Sequence, residues 1–588
     1  MNTIRISRKA VLIFLFILLF LAYVILPKIA SRAKSPQIQT ATFRTDKSLG
    51  NYETVERQRE GPGEKGLSHH VRPNQVDEEN RLKDIYGFNQ LVSDEISLDR
   101  TVPDMRETEC KHWDYPENLP TASVVFIFHN EGWSTLFRSV HSVINRSPSH
   151  LLHEIVLVDD KSELEHLHER LDDEIKKPYY EGKVKLVRNK EREGLIRARN
   201  IGAVAATGDV VVFLDAHCEV GPNWLPPLLA PIHEDPTTLT VPVIDGIEWD
   251  DFSIKPVYAE GTHSRGIFEW GMLYKETALP EKEASKRKYH SEPYNSPTHA
   301  GGLFAIKRSW FKKLGWYDPG LQIWGGENYE LSFKLWQCGG RSVWVPCSRI
   351  GHVYRGHSCS SCHSGGAEAK WGGVPLALRN YKRLIETWFD AKYKEFFYTR
   401  EPLASFIDMG DISEQVALKK KLNCKPFSWF MKEIAYDVFD KYPELPPNAY
   451  WGTIKNKKSG MCMDTFGASP STRIGMSSCH NWGGGQLWRL NTAGQLASGE
   501  WCAEYKPSNP KNEEDEVAMA WCASGSATGN WMFTETTGLL RLTSLPEDRQ
   551  CLSIHVKTLK LVFTQCDEND IHQKWQIEQI HPYWSKQQ

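Results

Sequence analysis

Several familiar signatures are missing from this chain. The stretch in which strands and helices alternate has no Gly-x-Gly-x-x-Gly between a strand and a helix and no Gly-Lys-Ser/Thr phosphate loop, which argues against a dinucleotide dehydrogenase and a P-loop enzyme. Neither charge sign is in excess. Its 71 Lys and Arg against 74 Asp and Glu leave a formal net charge of -3, so the overall electrostatics make no case for nucleic acid. Long apolar runs are scarce too. The exception is Ala10 to Leu26, with Arg5, Arg8 and Lys9 before it and Pro27, Lys28, Arg32 and Lys34 after it. The best cleavage candidate behind it, Ala30-Ser31-Arg32-Ala33, is faint, so residues 10–27 are expected to be an uncleaved signal-anchor after a cytoplasmic tail, 1–9. So short a run suits the thinner membranes of the early secretory pathway.

What is present speaks for an ordered protein. At 588 residues the chain is too long for one core, and it carries 13 Cys, 21 Trp and 21 Tyr. The cysteine spacing favours an oxidising compartment, which puts the carboxyl-terminal bulk in the lumen in a type II topology. Residues 28–84 are polar, with Gly61-Pro62-Gly63, and are expected to form a flexible stem.

The organising stretch runs from Asp209 to Glu219. Val210 to Leu214 form a buried strand that delivers Asp215 and His217 to its carboxyl end, where open α/β sheets place their ligands. Residues i and i+2 of an extended segment share a side, so an oxygen and a nitrogen donor face one volume. These donors suit a divalent ion such as Mn²⁺, which can neutralise a diphosphate; a turn-capping Asp beside a surface His is the plainer alternative. Further strands are expected at Val124–Phe128, ending in His129-Asn130-Glu131, at Glu154–Val158, ending in Asp159-Asp160, and at Lys183–Val187. Helices are expected near Ser134–Val143 and from the Arg192–Asn200 stretch to about Ala206, which predicts a mainly parallel sheet with helices on both faces. A second block carries Ala300-Gly301-Gly302, Trp324-Gly325-Gly326-Glu327-Asn328 and Gly351-His352, the last offering a third metal ligand.

Together with Ile96–Arg100, Val102-Pro103-Asp104 and Gly194–Arg199, these motifs resemble the polypeptide N-acetylgalactosaminyltransferase family, which starts mucin-type O-glycosylation, over nearly everything from Ile85 onward. The resemblance implies a glycosyltransferase A-type, Rossmann-like catalytic domain over 85–430 that moves GalNAc from UDP-GalNAc to Ser or Thr hydroxyls in the Golgi. It implies Asp215, His217 and His352 as Mn²⁺ ligands, and His129, Asp160, Arg192, Asp215, Trp324 and Arg355 as donor-binding residues. Glu327 matches the acid of the sugar pocket and, with Trp324 and Arg355, makes up the expected catalytic set. Arg265–Trp270 and Ser296–Gly302 look most like the branch that prefers glycopeptides. Ser360 departs from the pattern, standing where relatives keep a Tyr; it motivates an alternative, a catalytically inactive luminal glycan-binding scaffold. The surrounding His357-Ser358-Cys359-Ser360-Ser361-Cys362-His363 also reads as a zinc knuckle, a local disulfide or free thiols.

After a linker, 431–447, the chain repeats three times over 448–588, each repeat having a cysteine pair and a Trp. This resembles the ricin-type β-trefoil lectin. The first lobe keeps Asp464 and His480 as expected GalNAc-binding residues but has Gly485 where that family has Asn. The two resemblances imply bridges Cys110–Cys347, Cys338–Cys424, Cys462–Cys479, Cys502–Cys522 and Cys551–Cys566, which leaves over Cys359, Cys362 and Cys218, the last as a buried bystander.

Overall fold

The computed structural model describes residues 39–46, 49–53, 58–356, 370–371, 374–467, 472–506, 516–522, 530–555 and 557–582. The expected anchor and the loop with Cys359, Ser360 and Cys362 lie outside the described residues. Among the described residues no helix is long and apolar enough to cross a membrane.

The catalytic half is built on a ten-stranded sheet. Four strands run parallel side by side: Val210–Asp215, Ala122–Phe128, Leu152–Asp159 and Val184–Arg188. Their apolar residues alternate between two cores. Val124, Phe126, Val212 and Leu214 enter one, and Val125, Val211 and Phe213 the other, because successive side chains of a strand point to opposite faces. Helices Trp133–Arg146 and Leu225–Glu234 cover the first face; Leu195–Ala205 covers the second. The sheet is less uniform than expected. Phe304–Lys307 lies antiparallel between Val210–Asp215 and Thr238–Ile247, and beyond these Arg341–Val353 pairs in parallel with Thr238–Ile247. Phe304 and Ile306 face one core and Ala305 the other, so this short strand is buried on both faces and needs ladder partners on both edges.

Two expected boundaries move. Part of the stem is built into the catalytic domain: Thr42–Phe43 pairs with Trp113–Asp114, Phe43 stacks on Tyr289, the buried Glu64 accepts from Thr101, and Val76–Tyr86 is a helix. Composition concealed this, since the segment has only a few apolar anchors and borrows its partners from 100 onward. The linker is also shorter than 431–447. Helices Phe427–Glu433 and Val438–Lys441 place Phe430, Met431, Ala435 and Val438 in an aromatic core with Trp270, Trp388 and Phe397.

From Asn448 the chain is all β. Trp488, Trp531 and Trp575 occupy equivalent places in one core, and each indole N–H donates to the carbonyl of the residue after a lobe's first Cys: Met463 at 3.0 Å, Ala503 at 3.0 Å and Leu552 at 2.8 Å. All five expected disulfides are formed, and Cys218 is a buried free thiol whose pKa burial pushes well above its usual value.

Candidate active site

Asp215 ends the strand Val210–Asp215, and His217 closes the two-residue turn into Cys218–Val220. That short strand pairs with the end of Arg341–Val353, placing Cys218 opposite His352. Two stretches 135 residues apart in sequence are thereby zipped together. Ligand atoms of Asp215, His217 and His352 lie within 4.8 Å of one another, and among the described residues no other such group of His, Cys, Asp and Glu occurs. Burial opposes ionisation of Asp215. The hydrogen bond from His352 at 3.2 Å, with the charges of His352, His217 and Arg199, outweighs it and holds the carboxyl well below its ordinary range. His352 is pushed down by burial, so it favours the neutral, ligating form. His217 turns Nδ1 toward Glu131 Oε2 at 2.9 Å, which leaves its other nitrogen free to face a metal.

The residues expected to bind the donor gather along the same edge of the sheet. Asp160 is fully buried; its carboxylate accepts from the backbone N–H of Glu193 and Gly194, both at 2.8 Å, from Asn189 at 2.9 Å and from Arg192. His129 places Nδ1 3.0 Å from the carbonyl of Asp160, and burial lowers its pKa. On the other flank, the guanidinium of Arg355 donates to Glu131 at 3.0 Å and to the carbonyl of Tyr86 at 3.1 Å. Glu327, first residue of the helix Glu327–Gln337, is buried and accepts from Gly325 N–H at 2.9 Å. Trp324 stands 40% exposed, which leaves its indole face open for stacking.

Comparison with known proteins finds relatives over most of the chain. Residues 123–315 match the family model for glycosyl transferase family 2, residues 283–358 that for the N-terminal domain of galactosyltransferase, and residues 450–575 that for the ricin-type beta-trefoil lectin domain. N-acetylgalactosaminyltransferase 7 of Drosophila melanogaster is 53% identical over 537 residues, covering 91% of this chain and 88% of the relative. Polypeptide N-acetylgalactosaminyltransferase 10 of Homo sapiens is 40% identical over 535 residues, covering 89% of this chain and 84% of the relative. A crystal structure of GalNAc-T7 with UDP, GalNAc and Mn²⁺ is similar with a TM-score of 0.84 at 42% identity, covering 92% of this chain and 98% of that one.

The chain belongs to the polypeptide N-acetylgalactosaminyltransferase family. In this family member two residues outside the expected set hold the site together. Glu131 bridges His217 and Arg355; burial opposes its ionisation, while Arg355 and His217 keep its pKa below the usual value. Arg199 is buried between Asp215 Oδ1 at 3.8 Å and Glu327 Oε1 at 3.4 Å, linking the candidate metal ligands to the acid expected in the sugar pocket. Glu131 had a readable signal, as it closes His129-Asn130-Glu131 at a strand end. Arg199 closes the motif Gly194–Arg199, but nothing in that motif assigns it a partner.

In the lectin half, Asp464 accepts from Phe466 N–H at 2.8 Å, Ser477 at 2.7 Å and Gln486 at 3.0 Å, and these hydrogen bonds outweigh burial to lower its pKa. His480 accepts from Trp482 N–H at 3.2 Å, and its ring lies 5.4 Å from that of the exposed Trp482. Gly485 stands against these groups: a Cβ there would come within 2.5 Å of Asp464 Oδ1 and 2.8 Å of Thr465 Oγ1 as they are placed.

Proposed function

We propose that this protein transfers GalNAc from UDP-GalNAc to Ser or Thr hydroxyls of polypeptides, with retention at the anomeric carbon. The observation that carries the reading is the convergence of Asp215, His217 and His352 at a strand's carboxyl end, tied through Arg199 to Glu327. The mixed oxygen and nitrogen donors fit Mn²⁺, which when bound supplies positive charge to a diphosphate. Asp160, Arg192 and His129 are placed to hold the nucleotide, and Trp324 to stack on it or on the sugar. Arg355 is placed to stabilise negative charge on the departing UDP, whose phosphate oxygen takes the acceptor proton on the same face. Glu327 is occupied by Gly325 N–H and Arg199, which suits an acid that orients sugar hydroxyls better than a free nucleophile.

We further propose a GalNAc site at Asp464 and His480, a preference for acceptors that already carry GalNAc, and a Golgi membrane anchor at residues 10–27 with the remainder luminal. The catalytic unit then takes in the packed part of the stem and runs to about Lys441. The reaction is tested with Asp215→Ala and His217→Ala in the full-length protein, after rigorous metal removal and Mn²⁺ restoration. Each variant is expected to lose at least about 100-fold in turnover, the scale of losing one preorganised electrostatic group. Unaltered turnover would sink the metal role.

A further inference from the structure

We propose that Asn380 is a positioning residue for the donor sugar, acting through the loop that carries Trp324 and leads into Glu327. The inference deepens the transferase reading and rests on it. Asn380 sits in the helix Leu376–Trp388 and is fully buried, yet its side chain makes no contribution to that helix. Its Oδ1 accepts from Gln322 N–H at 3.0 Å. Its Nδ2 donates to the carbonyls of Gln322 at 2.8 Å, Gly325 at 2.9 Å and Trp324 at 3.1 Å. Because one of the four loop groups is a donor and three are acceptors, only one orientation of the amide fits. A single side chain therefore grips three loop residues by their backbone.

The neighbouring residues of the same helix extend the grip. Arg383 forks onto Asp318 at 2.6 and 3.0 Å, and Arg379 donates to the carbonyl of Gly320 at 3.1 Å. On the opposite side the loop meets the donor-binding edge. Ile323 adopts φ +48°, a left-handed conformation that a β-branched residue avoids. Its carbonyl accepts from Ile196 N–H at 3.3 Å, and its Cα lies where a Cβ on Gly194 would stand, 2.4 Å away. Gly194 is one of the residues whose N–H holds Asp160. The loop is thus clamped between Asn380 and the Asp160 anchor, with a strained residue in the middle. Strain of this kind persists only where the surroundings over-determine it, and it collects at functional sites. Here it fixes the backbone of Trp324 while the indole stays open to a ligand, and it sets Gly325 N–H on Glu327.

The test uses full-length protein. Asn380→Asp keeps the size and the acceptor for Gln322 but turns an oxygen toward three carbonyls, and Asn380→Ala removes the grip. Both are expected to lower turnover of UDP-GalNAc about 100-fold, the scale of a small misplacement of reacting groups. Affinity for UDP in the presence of Mn²⁺, read by calorimetry, is expected to stay within about twofold, because Asp160, Arg192, His129 and the metal ligands are untouched and Trp324 is assigned here to the sugar, which free UDP lacks. Ile323→Gly, which relaxes the strained position with Asn380 in place, is expected to lower turnover without changing UDP affinity or the melting midpoint. It decides the matter should the Asn380 variants fail to fold. Wild-type turnover in any of the three variants that fold overturns the proposal, as does a parallel fall of UDP affinity and melting midpoint with turnover. Wild-type protein in the same assay reports on the transferase reading separately: if it turns over UDP-GalNAc, a failure among the variants belongs to Asn380 alone.

Discussion

At the scale of single residues, the site depends on side chains that do not face the substrate. Glu131 offers one carboxylate to two partners, a candidate metal ligand and a candidate phosphate clamp. A carboxylate on Nδ1 fixes both the ring orientation of a ligating His and the nitrogen that faces the metal, and loss of such a partner typically costs about 10–100-fold in metal affinity. Glu131→Gln is accordingly expected to weaken Mn²⁺ binding by that factor, as measured by titration of the free-ion resonance signal, with the melting midpoint nearly unchanged. Wild-type Mn²⁺ affinity in the variant would show that His217 is oriented by its backbone alone.

At the scale of elements, the two ends of the parallel strands do different work. The carboxyl ends carry Asp160 and Asp215, whereas the amino ends are sewn together by Glu154. Its carboxylate accepts from Ser123 at 2.8 Å and from the N–H and hydroxyl of Thr207 at 2.6 and 2.7 Å, and pairs with Lys185 at 3.1 Å. Burial works against the charge, but these partners win and bring the pKa down to about 2. A carboxylate with a lowered folded-state pKa stabilises above its unfolded pKa, and that contribution is lost as pH falls through the folded value. Glu154→Gln should therefore lower the melting midpoint at pH 6, by an amount corresponding to on the order of 2 kcal/mol. The gap to wild type should close as pH falls from about 4.5 toward 2. A gap that stays constant across that window would mean that the lost hydrogen bonds, and not the charge, set the cost.

At the scale of the whole molecule, the lectin half is docked against the catalytic half. Leu403 and Ile407 pack with Leu487 and Ile580, Lys275 pairs with Glu500 at 2.8 Å, and the buried Arg489 and Asn448 both donate to the carbonyl of Thr399 at the end of the helix Ala391–Arg400. Cationic and amide donors suit the partial negative charge of a helix carboxyl end. A sugar held at Asp464 would then lie at a set distance from the active site, and a weak contact gains through effective concentration only at matching spacings. Asp464→Ala is expected to remove about 10-fold or more of the rate advantage for peptides whose GalNAc lies far from the acceptor, and to spare those with an adjacent GalNAc. Paired kinetics on naked, near-modified and far-modified peptides check this. Equal rates on all three in wild type would overturn the glycopeptide preference and leave the transferase reading untouched.

Much of this was legible in the sequence because it rests on local patterns. Val210 to Leu214 followed by Asp215 and His217 is a strand delivering ligands, wherever it packs; three Cys-Cys-Trp repeats are three lobes, since each must bury its own Trp. Residues that work through distant partners gave no such signal. His352 could be named from its motif, but its approach to Asp215 and His217 comes only from the pairing of Arg341–Val353 with Cys218–Val220, and the roles of Glu131, Arg199 and Asn380 show only when His217, Glu327 and Gly325 arrive from 55 or more residues away. The packed part of the stem and residues 431–441 were not legible for the same reason, since composition cannot show that Glu64 will find Thr101, nor that Met431 and Val438 will join Trp388. Local periodicity decides which elements form and what they carry, but hydrogen-bond satisfaction and close packing between remote segments decide which side chains end up facing one another, and only the tertiary structure settles that.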